Sequence, residues 1–130
     1  MKTDQQTAPI ERPLLRYHGG KFSIADWIID HFPHHRIYVE PFGGGGSVLL
    51  SKPRIDREVY NDLDGLIVNL FRVLQDPAGA AALVRRIELT PFARAEFRDA
   101  WDVAAATDDV DRAWRIVVRS WMGHGSCGAT

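Results

Sequence analysis

Apolar positions along this chain change their spacing several times, and each change marks an element. Residues 14–21 (LLRYHGGK) predict a short extended piece that ends in a Gly-Gly turn. In residues 23–32, Ile24, Trp27, Ile28 and Phe32 fall on one helical face, with Ser23 as cap and Asp26 in the first turn; Pro33 stops the helix. Residues 36–40 (RIYVE) are β-branched and aromatic, a strand too apolar to face water on both sides. A short helix is expected over 47–51, cut by Pro53, and a second strand over 57–62 (REVYND), ending in an acid. Residues 64–75 are strongly periodic, with Leu66, Ile67, Leu70, Phe71 and Leu74 inward and Asp76-Pro77 as the stop. Strand, glycine turn, helix, strand and helix in that order make a βαβα unit of a mostly parallel α/β sheet.

Beyond Ala78 no strand pattern recurs. Helices are expected over 80–88, 91–106 and 110–122. In the last, Val110, Ala113, Trp114, Val117 and Trp121 share a face, and Arg112, Arg115 and Arg119 gather on the opposite one. The pattern therefore divides the chain into a disordered lead-in (1–12), an α/β part (13–77) and a helical segment (78–130).

Composition narrows this picture. The chain has 130 residues, 45% of them apolar and 25% charged, which suits one modest domain with a real core. Sixteen basic against seventeen acidic side chains leave a net charge of −1, so contact with a polyanion must come from a local basic patch. The arginine group on the last helix is the candidate, read either as phosphate contacts or as an ordinary solvated face. A lone cysteine, Cys127, excludes a disulfide framework and makes a reducing, cytoplasmic setting the expectation. The polar first eight residues argue against a secretory signal. No apolar run approaches the roughly 20 residues of a membrane span. His124 and Cys127 are too few for a metal site, His34-His35 is expected as a loop pair, and the four tryptophans as core.

The chemistry concentrates in residues 38–50, YVEPFGGGGSVLL. Each of four successive glycines raises the entropy cost of ordering the backbone. Between a strand and a helix start, such a turn lets a ligand approach the backbone with no Cβ in the way. Asp62 follows Gly43 by nineteen residues, a spacing that suits an acid on ribose hydroxyls. It could instead cap the next helix. The dinucleotide pattern GxGxxG fails at Val48 and Leu49, and the P-loop pattern fails at Phe22 and Leu15. Glu40, at the end of the first strand, suits a ligand with a nearby positive charge. S-adenosylmethionine carries an ammonium, a sulfonium and a ribose. Lys21 has a solvated reading, and Tyr17 a core-facing one, beside their functional ones.

RYHGGK (16–21), VEPFGGGGSV (39–48) and VYNDLDGLIVNLF (59–71) together resemble three sequential motifs of DNA adenine N6-methyltransferases of the Dam-like class. The resemblance covers about residues 13–76. It implies a Rossmann-like methyltransferase unit that uses S-adenosylmethionine, followed by the start of a region that reads double-stranded DNA. It also places Tyr17 and Lys21 in the N-terminal cofactor motif. Glu40, Pro41, Phe42, Gly44 and Gly46 would surround the methionine end, and Asp62 would hold the ribose. The family takes the amine's protons in an Asp/Asn-Pro-Pro-Tyr/Phe loop. The seven prolines here are all isolated, so no catalytic residue is assigned. The expectation is a member of this family that lacks the catalytic loop and is inactive by itself. A non-catalytic cofactor-binding remnant, one half of a split enzyme whose separate C-terminal half carries the loop, and a small DNA-binding module are the alternatives.

Overall fold

The structure is a computed structural model that describes residues 9–123. Its described residues form a mixed α/β arrangement of two strands and six helices. They are α1 (Ala25–Asp30), β1 (Ile37–Glu40), α2 (Ser47–Ser51), β2 (Arg57–Tyr60), α3 (Gly65–Gln75), α4 (Pro77–Leu89), α5 (Arg94–Asp99) and α6 (Asp109–Met122). The strands pair in parallel, with Val39 beside Val59 and Glu40 beside Tyr60. That direction requires a crossover, which the glycine turn and α2 provide. One face of the pair, carrying Ile37, Val39 and Val59, stays exposed. Tyr38, Glu40 and Tyr60 lie on the half-buried face.

The core joins the two ends of the chain. Leu15, Ile67, Leu70 and Val73 pack with Leu83, Ala113, Trp114 and Val117 in one cluster, so the expected division at residue 77 runs through shared packing. Asn69 on α3 donates to the carbonyl of Asp109 at the start of α6, at 2.9 Å. A second seam ties the N-terminal strap to the far end of α6. Arg16 N–H donates to Ser120 Oγ at 2.6 Å, Trp121 Nε1 donates to the Leu14 carbonyl at 3.1 Å, and the Arg16 guanidinium lies over the Trp121 ring.

Several expectations change. Ser23 does not cap α1: it sits inside a 3-10 turn (Phe22–Ile24), and the helix starts two residues later with no side-chain cap. Of the first helix only Ala25 is buried, and Trp27 is 64% exposed, so it is not a core residue. The helix expected over 91–106 breaks. It ends at Asp99, and Asp102 captures the Ala105 N–H at 3.2 Å to form a separate 3-10 turn, a local alternative to helix that aspartate favours. The helix expected from Ala80 begins at Pro77 instead. Asp76 ends α3 and caps α4 through Gly79 N–H, leaving proline at the first helical position, where a missing N–H costs nothing.

The arginines of α6 do not form one solvated stripe. Arg115 is only 8% exposed, donates to the Asp99 carbonyl, and pairs with buried Asp111 at 3.3 Å. Arg86 from α4 meets the other oxygen of Asp111 at 2.7 Å. Arg119 stacks over the Trp101 ring at 3.9 Å, and Arg112 pairs with Asp109 at the surface. Packed by α3, α4 and α5, α6 has little surface left to solvate. No helix among the described residues is long and apolar enough to cross a membrane. His124 and Cys127 lie outside the described residues.

Candidate functional site

The glycine turn is built where β1 ends and α2 begins. Gly44 and Gly46 have φ of +50° and +63°, the left-handed region that glycine enters without a Cβ penalty. Aromatic rings occupy the space that side chains would need. A Cβ at Gly46 would sit 2.9 Å from Phe71, one at Gly44 would sit 3.0 Å from Tyr17, and one at Gly43 would overlap the Tyr60 ring. The end of β2 then fastens the turn. Gly43 N–H donates to the Asn61 carbonyl at 2.9 Å, and Asn61 Nδ2 donates to the Pro41 carbonyl at 2.9 Å. Gly44 N–H donates to Asp62 Oδ2 at 2.8 Å, and the Tyr60 hydroxyl donates to the Gly44 carbonyl at 2.6 Å.

Between this turn and the 17–21 turn lies a cleft of about 170 Å³. Sites for whole drug-sized ligands run to about 300–1,000 Å³, so the cleft is small for a whole ligand of that size. Tyr17, Lys21, Glu40, Phe42, Gly44 and Gly46 line it, which brings six of the sequence candidates together. Pro41 and Asp62 stand outside its wall. The Glu40 carboxylate receives the Tyr38 hydroxyl at 2.7 Å and Leu49 N–H, in the first turn of α2, at 2.9 Å, all through Oε1. Oε2 makes no hydrogen bond among the described residues. Burial, then the bond to Glu40, pushes the Tyr38 phenol far up, so it stays a donor. Lys21 Nζ folds back on the Gly19 carbonyl at the exposed rim, and Phe42 is 86% exposed. Tyr17 is both core-packed and cleft-lining; burial, then the charges of Asp62 and Asp64, raise its phenol.

Asp62 has a role that sequence reasoning missed. It does not cap α3. Asp64 does, through Leu66 N–H at 2.9 Å, while Asp62 Oδ1 accepts Asp64 N–H at 2.9 Å. One carboxylate therefore joins the glycine turn to the approach of α3. His18, Gly43 and Ser47 also line the cleft. They lay inside the stretches already singled out, as did Tyr60, to which no role was given.

An acid at the end of β1, the glycine turn and an acid just after β2 thus follow one another along the chain and meet at one place. The sequence model of the D12 class N6 adenine-specific DNA methyltransferases matches residues 17–126. The chain belongs to this family. Among family relatives, the DNA adenine methylase of Haemophilus influenzae is 35% identical over 65 residues, 49% of this chain and 22% of that protein. The DNA adenine methylase of Escherichia coli is 33% identical over 64 residues, again 49% of this chain and 23% of the relative. The DNA N-6-adenine-methyltransferase of Escherichia phage P1 is 31% identical over 71 residues, 55% of this chain and 9% of that protein. The stretch matched is thus under a quarter of each of these relatives.

Proposed function

We propose that this chain forms the S-adenosylmethionine-binding, Rossmann-like part of a DNA adenine N6-methyltransferase acting on double-stranded DNA. The observation that carries the reading is the turn itself. Its glycines occupy left-handed backbone with aromatic rings packed behind them, beside an anionic side chain in one cleft. Glu40, with one oxygen unshared among the described residues, would receive the ammonium of the cofactor's methionine end. Tyr17 and Phe42 would give its hydrocarbon part apolar contact, and Gly44 and Gly46 close backbone approach. Asp62 already accepts one N–H on each oxygen; each carboxylate oxygen has two lone pairs, so capacity for a ribose hydroxyl remains. When bound, the cofactor supplies the electrophilic methyl group. Holding it in line with the amine is what this chain would contribute to the rate.

A catalytic Asp/Asn-Pro-Pro-Tyr/Phe loop would come from elsewhere, in the same longer polypeptide or in a separate C-terminal half. Of the DNA contacts expected on α6, Arg112 and Arg119 remain candidates. Arg115 instead has a packing role that its burial supports, which also weakens a DNA-binding module as the whole function. Titration calorimetry with S-adenosylmethionine and its demethylated product tests the reading. Saturable binding of both is expected. No heat and no rise in melting temperature at about 1 mM ligand would overturn it, because an affinity weaker than about −4 kcal/mol leaves no useful site.

A further inference from the structure

Gly44 is held through both of its backbone polar groups, and both partners come from the end of β2. Its N–H is bound by Asp62 and its carbonyl by the Tyr60 hydroxyl, the two flanking Asn61. We propose that Tyr60 is a positioning residue, whose hydroxyl fixes the Gly44 carbonyl and so presets the glycine turn for the ligand of the cleft. The ligand half of this proposal rests on the cofactor reading above; the turn half does not.

Three observations separate the hydroxyl from the ring. The ring already has packing duties: it covers the space where a Gly43 Cβ would be, and it meets Phe71 at 4.6 Å between centroids. A phenylalanine would satisfy both. The hydroxyl adds one thing more, a 2.6 Å bond to a carbonyl in a run of four glycines that has no side chains of its own to hold it. Such a segment visits both signs of φ freely unless something outside it chooses. Burial, and after it the negative charge of Asp62, keeps the Tyr60 phenol protonated far above its ordinary range, so the donor is permanent. A pre-set turn binds more tightly because less ordering remains to be done on association.

Tyr60→Phe removes the hydroxyl and keeps the ring. Amide hydrogen exchange by NMR should speed up about tenfold at residues 43–46, with exchange in α3 and α6 unchanged, as expected for losing one short neutral hydrogen bond. Affinity for the demethylated cofactor product should fall by a similar factor. Wild-type exchange in the turn of the variant would overturn the proposal, and so would acceleration spread evenly through the core, which marks a packing role alone. Unchanged ligand affinity despite a loosened turn would overturn its ligand half. If the turn loosens while the wild-type chain binds no cofactor at all, Tyr60 holds the turn as proposed and the cofactor reading of the cleft falls.

Discussion

Asp62 and the glycines show how much depends on single atoms. Asp62→Ala strips a charged acceptor from two backbone donors at once, Gly44 N–H and Asp64 N–H. Hydrogen bonds to charged groups contribute about 1.5–3 kcal/mol each when buried, and these are partly exposed, so a stability loss of about 2 kcal/mol is expected in urea unfolding. Calorimetry should show cofactor affinity falling at least tenfold in the same variant. Equal affinity with lowered stability would leave Asp62 a brace and nothing more. Gly43→Ala should cost about 2 kcal/mol, since its new methyl and the Tyr60 ring would claim the same space. At this scale the sequence was informative about residue type and spacing. Glycines after a strand and an acid nineteen residues on picked out residues that the fold brings into contact. It was silent on partners, because which N–H meets Asp62 depends on the left-handed path of Gly44 and Gly46, set by rings from three other segments.

Helix α6 shows what periodicity conveys and where it stops. Ala113, Trp114 and Val117 are buried as their spacing predicts. A helical wheel assumes one wet face, however, and α6 has neighbours on most sides, so Asp111 and Arg115 are enclosed as well. Burial by itself pushes Asp111 up, but the Thr107 N–H and the Arg86 and Arg115 guanidiniums outweigh it and hold the carboxyl below its ordinary 3.8. A lowered carboxylate pKa makes a contribution that is full above the unfolded value and is lost as pH falls towards the folded one. Melting temperature should therefore decline below about pH 4, and Asp111→Asn should flatten that part of the profile. Arg115→Ala should cost about 3 kcal/mol by leaving Asp111 with one partner fewer in a buried site. Its effect on DNA binding should vanish once folding is corrected for, whereas Arg112→Ala should flatten the salt slope of any DNA binding by about 0.9. Equal slope changes for the two variants would return Arg115 to the DNA face.

For the whole molecule, the βαβα order was readable because each element announces its own kind: short β-branched and aromatic runs for the strands, and a 3.6-residue repeat from Leu66 to Leu74 for α3. The union of that unit with the helices was not. It is made by contacts between residues a hundred positions apart, such as Arg16 with Ser120, which no local pattern encodes. On activity, the expectation is that this chain alone incorporates no tritiated methyl into adenine-rich DNA, since no residue in it pairs a proton acceptor with a stacking aromatic in a Pro-Pro loop. Incorporation by protein purified from a host without methylases would refute this.

The strap that ties Leu14 and Arg16 to the far end of α6 has a consequence for how the chain can be divided. A nick at Asp76-Pro77 would separate Ile67 and Leu70 from Trp114 and Val117, and would take the strap away from Ser120 and Trp121. Neither product would then own a closed interior. Expressed singly, 1–76 and 77–130 should each be insoluble or unfolded by circular dichroism, and together they should reassemble into one species. Gene fission and protein engineering face the same constraint: a break between Leu14 and Trp121 leaves neither fragment folded by itself, because the strap and α3 both close against α6.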